Sequence, residues 1–115
     1  MRVSTLYMDP GVSTLTTPGF VYFIQAEMEL TAIKIGWTSD LQKRLNTLQR
    51  MSPVPLRMLY SAPGTGRDER ALHKKFKEYR RHGEWFSLGP ALKEHIVTRA
   101  GSTALWPGKK RRIAL

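Results

Sequence analysis

The chain has 115 residues, 41% hydrophobic and 24% charged, a composition suited to one compact domain with a modest core rather than to a disordered chain. Nineteen Lys and Arg against nine Asp and Glu leave a formal charge of +10, which favours a polyanionic partner, nucleic acid before all others. The absence of cysteine excludes disulfides, thiolate zinc sites and a cysteine nucleophile.

Residues 1–18 are rich in Ser, Thr, Pro and Gly, and read as an extended arm or extra edge strand ending at Pro18-Gly19. Their first residues lack the apolar core of a signal peptide, and no later stretch approaches the ~18 apolar residues of a membrane span. A cytoplasmic protein without membrane contact is the expectation. From Phe20 to Gln25, aromatic and β-branched residues predict a strand, and Ala32-Ile33-Lys34-Ile35 predicts its hairpin partner after a polar bend at residues 27–29.

A helix is expected from about residue 40, carrying Leu41, Leu45 and Leu48, with Ser39 and Gln42 as its capping box and an end before Pro53. Leu56, Met58 and Tyr60 alternate as a third strand, followed by a loop at Ala62-Pro63-Gly64. Thr65 can cap a second helix with the stripe Leu72, Phe76 and Tyr79, running to about Arg81 with Gly83 as its stop. Glu84 to Leu88 reads as a short strand or ordered turn, and Gly89-Pro90 opens a last helix bearing Leu92 and Ile96. The order ββαβα(β)α predicts a small α/β (α+β) sandwich: a central antiparallel three-stranded sheet flanked by helices. An arm (1–18), a domain (19–100) and a basic tail (101–115) divide the chain.

Several side chains in this layout bear chemistry. Alternation along the first strand places Tyr22 opposite Val21 and Phe23, and Lys34 projects opposite Ile33 and Ile35. Gly36 permits a bend or the close approach of a ligand backbone. Arg44 flanks the apolar stripe of the first helix, from where a guanidinium can grip a phosphate bidentately. Glu69 and His73, four apart, share a helix face, and one carboxylate is enough to anchor a Mg²⁺ that keeps several waters. Lys43, Arg50, Lys74 and Arg80, with Lys109, Lys110, Arg111 and Arg112 in the tail, are candidate nucleic-acid contacts.

These residues, in order, resemble the GIY-YIG nuclease superfamily, especially its phage-type branch. Phe20-Val21-Tyr22 stands where that family has Gly-Ile-Tyr, and Lys34-Ile35-Gly36 where it has Tyr-Ile-Gly. Arg44 falls at the family's arginine, and Glu69 to His73 with Phe76, then Gly83-Glu84-Trp85-Phe86, look like the branch's later signature. The match runs from Phe20 to Ile96.

The resemblance implies a metal-dependent endonuclease that cuts DNA, double-stranded first, with one Mg²⁺ or Mn²⁺. Tyr22 would act as general base or align the attacking water, Arg44 would neutralise the transition-state phosphate, and Glu69 would hold the metal. Lys34 would add positive charge, with His73 in reserve for proton transfer and Glu84 as a second carboxylate. Two alternatives stand beside it: a DNA-binding module of the same fold that does not cleave, and a small phage or mobile-element protein that acts by binding another protein. A short module also implies low specificity, a homodimer or a targeting partner.

Overall fold

The computed structural model describes residues 15–27 and 29–101, so the tail cations and most of the arm lie outside the described residues. β1 (Gly19–Ala26) and β2 (Glu29–Thr38) form the expected antiparallel hairpin, closed by Gln25 Nε2 donating to the Leu30 carbonyl at 2.8 Å. Then follow α1 (Leu41–Met51), β3 (Leu56–Gly64), α2 (Gly66–Lys75), a 3-10 turn (Lys77–Tyr79), β4 (Arg80–His82), β5 (Trp85–Ser87) and α3 (Pro90–Ala100). The architecture is the small α/β sandwich expected. Its antiparallel sheet gains two short strands beyond the three and runs β3-β1-β2-β5-β4.

Several local expectations are corrected. The N-cap of α1 is Asp40 rather than Ser39: its Oδ1 accepts from the Lys43 amide at 3.1 Å, while Gln42 turns to Asn46. The stretch Ala62-Pro63-Gly64 belongs to β3, pairing with Val21, Phe20 and Gly19. Pro63 is tolerated because β3 is an edge strand, where one face of the backbone needs no donor. A register shift opposite Phe23/Ile24 also breaks the alternation of β3, so Met58 pairs with Ile24 while Tyr60 pairs with Phe23 and packs on its ring. The second helix ends at Lys75, not near Arg81. Phe76 and Tyr79 mimic a continuing helical stripe because a 3-10 turn brings residues three apart to one side. The chain beyond is claimed by sheet pairing, and Gly83, at φ 56°, makes the β4–β5 turn rather than a helix stop.

The two faces of the sheet are covered unequally. α2 and α3 seal one face in a core of Val21, Phe23, Ile33, Ile35, Leu59, Phe76, Phe86, Leu92 and Ile96. Each large apolar side chain removed from water there contributes roughly 1.5–3 kcal/mol. The other face carries α1, which connects β2 to β3 across β1, two strands that are parallel to each other and so need a crossover. α1 contributes no fully buried residue, so Leu41, Leu45 and Leu48 are only half-buried. Gln49 ties its end to the chain entering β3, donating to the Val54 carbonyl (3.0 Å) and accepting from the Leu56 amide at the start of the strand (2.8 Å). Among the described residues no helix is long and apolar enough to cross a membrane.

Two of the buried residues described are polar, Gln25 and His95. His95 packs its ring against Phe23 and Phe76, at centroid distances of 5.5 and 5.3 Å, and its buried Nδ1 has no hydrogen-bond partner among the described residues. Burial, then the nearby Arg99 and Lys75, lower its pKa from 6.5 to about 4. The folded protein therefore refuses a proton that the unfolded chain accepts, and stability is lost as pH falls from about 6.5 towards about 4. His95→Phe should remove this acid sensitivity and the unpaired nitrogen together, the added volume entering the adjacent cavity of about 270 Å³. A rise in Tm of roughly 4–8 °C at pH 6 is expected by calorimetry. An unchanged acid slope would show that His95 is not its source.

Candidate functional site

The site is built on the hairpin register. Tyr22 lies directly across from Gly36, and a Cβ on Gly36 would overlap the Tyr22 ring and hydroxyl. The close approach that glycine permits is thus made by a side chain of the same hairpin, not by a ligand backbone. Tyr22 is not a surface strand residue either: it is 1% exposed. Its hydroxyl accepts from Arg44 Nε at 3.4 Å, and Arg44 is placed for this one turn into α1, its amide bonded to the Asp40 carbonyl. Burial pushes the Tyr22 phenol above its ordinary pKa, against the lowering influence of Arg44. Tyr22 is therefore a neutral phenol, which accepts one bond and keeps a proton to donate.

Lys34, paired with Ile24 and two residues before Gly36, emerges on the same face as Tyr22, as alternation predicts. Its Nζ contacts Glu84 Oε1 at 2.9 Å and lies 5.7 Å from the centre of the Trp85 ring. Backbone pairing holds Glu84 there, since the Ile35 amide donates to the Glu84 carbonyl at 3.0 Å.

α2 delivers Glu69 from the far side of the sheet. Its start is secured by a capping box in which Thr65 and Asp68 satisfy each other's backbone amides. One turn further, His73 Nε2 lies 2.9 Å from the Ile35 carbonyl and 3.7 Å from Glu69 Oε2. The shorter contact takes the Nε2 proton, and the ring rests edge-on against Phe86. His73 is thereby a strut between α2 and β2.

Glu69 has the most perturbed carboxyl. Burial first, then the charge of Glu84 and a hydrogen bond shared with it, raise its pKa to about 7, and Lys34 and Arg70 only partly oppose them. Its side chain is 18% exposed, so water screens this little. The groups around Gly36 thus comprise a phenol, a guanidinium, an ammonium and two carboxylates.

The other candidate contacts are not gathered there. Lys43 and Arg50 are exposed on α1 and line a shallow basin with Asp40, Gln42, Asn46 and Thr47. Lys74 is exposed on α2, and Arg80, exposed on β4, donates to the Gly83 carbonyl at 3.0 Å. Lys109, Lys110, Arg111 and Arg112 lie outside the described residues. Sequence reasoning missed Trp85 as a partner of Lys34. Its signal was present in the alternation of β5, which puts Trp85 and Phe86 on opposite faces.

The T5orf172 domain model matches residues 19–100, and the chain belongs to that family, a phage-type DNA-binding or nuclease-related module. This corrects the GIY-YIG resemblance, for the family model that matches is not the GIY-YIG one. The motif letters show where the likeness fails: Phe20, Val21 and Lys34 replace glycine, isoleucine and tyrosine. No curated protein and no solved structure matches the chain.

Two outcomes follow from the geometry. Gly36→Ala should drive the Tyr22 ring off Arg44 and cost about 1–3 kcal/mol in urea unfolding, an overpacking penalty. An unchanged midpoint would mean that the ring has room elsewhere. The Glu69 value, raised from 4.5 to about 7, means that the folded state holds a proton the unfolded chain releases. Its contribution is full below about 4.5 and lost as pH rises through about 7. Glu69→Gln should therefore flatten the decline in stability across that window and add roughly 1–3 kcal/mol at pH 8. Parallel pH profiles for the two proteins would refute the assignment.

Proposed function

We propose that this T5orf172-domain chain binds DNA and hydrolyses its phosphodiester bonds with a single divalent metal ion. The observation that carries the reading is the convergence of Tyr22, Lys34, Arg44, Glu69 and Glu84 around Gly36. Five side chains from separate elements meet there, and two of them, Lys34 and Glu69, are ionisable and substantially buried, at a cost that folding alone does not explain.

The donor set fits a hard cation. Glu69 and Glu84 are oxygen donors of the kind that Mg²⁺ or Mn²⁺ takes, and the raised pKa of Glu69 comes first from burial and then from the charge of Glu84 beside it, which a bound cation would offset. Among the described residues no group of three or more His, Cys, Asp or Glu gathers, so Glu69 with Glu84 would hold an ion that keeps several waters. When bound, the ion supplies Lewis-acid polarisation of the phosphoryl oxygens.

The chain's own residues do the rest. Arg44, with Nε on Tyr22, presents its terminal nitrogens to the phosphate and meets the charge that grows on it. Tyr22, a buried neutral phenol, orients the attacking water through its hydroxyl rather than removing the proton as a phenolate. Lys34 balances Glu84 and keeps the pair of carboxylates from expelling each other. Lys43 and Arg50 extend the cationic track along α1. The Lys34–Glu84 ion pair also favours a second reading, binding without cleavage, because it occupies one of the two carboxylates.

Supercoiled plasmid separates the two readings. Wild type should nick it with Mg²⁺ or Mn²⁺ and stop on chelation, and Glu69→Ala should abolish nicking while duplex binding survives. Arg44→Ala should lose roughly hundredfold in rate. Duplex binding with neither metal supporting nicking would establish the second reading instead.

A further inference from the structure

α1 stands off the sheet, and the space beneath its C-terminal end is a trough of about 350 Å³. Its floor crosses four adjacent strands, from Leu56 on β3 through Ala26 on β1 and Lys34 on β2 to Trp85 on β5. At about 4.8 Å per strand it is about 14 Å long. Leu48 and Met51 of α1 form the roof, and Met51 is 74% exposed, the most exposed large apolar side chain among the described residues. A long apolar side chain left open at the lip of an apolar slot is an adaptable contact in search of a flat surface.

The inner end of this trough joins the site already described. Lys34 belongs to both: its ammonium contacts Glu84 within the cluster and lies against the Trp85 ring within the trough. A strand whose phosphate rests among Arg44, Tyr22 and Lys34 therefore places its neighbouring base at the mouth of an aromatic, apolar slot.

We propose that the trough receives an unpaired nucleobase of the bound strand, stacked against Trp85, so that the protein selects DNA with a base already out of the helix. The proposal rests on the DNA-binding reading above. A base within intact duplex is stacked on its neighbours and must be extruded at a cost before it can enter, whereas a bulged or single-stranded base enters without that cost. Base stacking on an aromatic side chain is indifferent to base identity, so the trough selects structure rather than sequence.

The test uses the full chain in chelator, so that no strand is cut, and three oligonucleotides: a fully paired duplex, one with a single bulged 2-aminopurine, and one with an abasic residue at the bulge. Wild type should bind the 2-aminopurine bulge roughly tenfold tighter than the abasic bulge, with a change in its fluorescence on binding. Trp85→Ala should bring that ratio near unity and Trp85→Phe should restore most of it. Met51→Ser, at an exposed position that leaves the core untouched, should lower the ratio and decides the matter if Trp85→Ala does not fold. Equal affinity for the two bulges, with paired duplex still bound, would overturn the trough and leave the DNA-binding reading standing. Failure to retain any of the three at low salt would overturn both.

Discussion

The contact between Tyr22 and Gly36 across the β1–β2 hairpin is the constraint on which the rest of the molecule depends. A tyrosine ring can lie flat over its cross-strand partner only if that partner has no side chain. With the ring laid down, the hydroxyl is held where Arg44 reaches it, which ties α1 to the sheet by a polar contact rather than by apolar burial. The same register sets Lys34 one pleat away and directs it at Trp85 and Glu84. A one-residue slip would turn every one of these groups to the other face.

The cluster is electrostatically unbalanced by design of the fold. Glu69 is half-buried beside Glu84, and the nearby Lys34 is engaged in neutralising Glu84. The result is a carboxyl that resists ionisation at the pH where most carboxylates are fully charged. Structural ion pairs tend the other way, lowering carboxyl pKa values and favouring the folded state. Glu29 does this at the start of β2, where Arg81 donates to it at 3.0 Å and lowers its pKa. Glu29 and Glu69 thus shift in opposite directions, the one toward ionisation by an ion pair and the other away from it by burial and a like charge.

The unequal covering of the sheet explains where function can reside. The face beneath α2 and α3 is filled with large apolar side chains, and the His95 ring buried among them is held neutral. The face beneath α1 is spanned by a helix without a fully buried residue, the crossover between two parallel strands, whose C-terminal end Gln49 ties to the chain entering β3. A loosely seated helix leaves the trough of about 350 Å³ beneath it. It also keeps Lys43, Arg44 and Arg50 near solvent, where a polyanion can reach them.

Much of this protein was decided along the chain itself. The hairpin, the helix after it, the Thr65 cap and the Gly89-Pro90 helix start depend on period and on short-range hydrogen bonds, and alternation along the hairpin put Tyr22 and Lys34 on one face. The family was not legible from six motif letters, three of which differ here from the GIY-YIG pattern. Other features required the tertiary structure: the end of α2, which sheet pairing rather than propensity sets; the bulge that sends Tyr60 to the opposite face from Met58; the pairing of Lys34 with Glu84, fifty positions apart. Local sequence encodes which element forms, because caps and periodicity act over a few residues. Which side chain is buried, paired or left short of charge depends on neighbours from other elements, and those exist only once the sheet has closed.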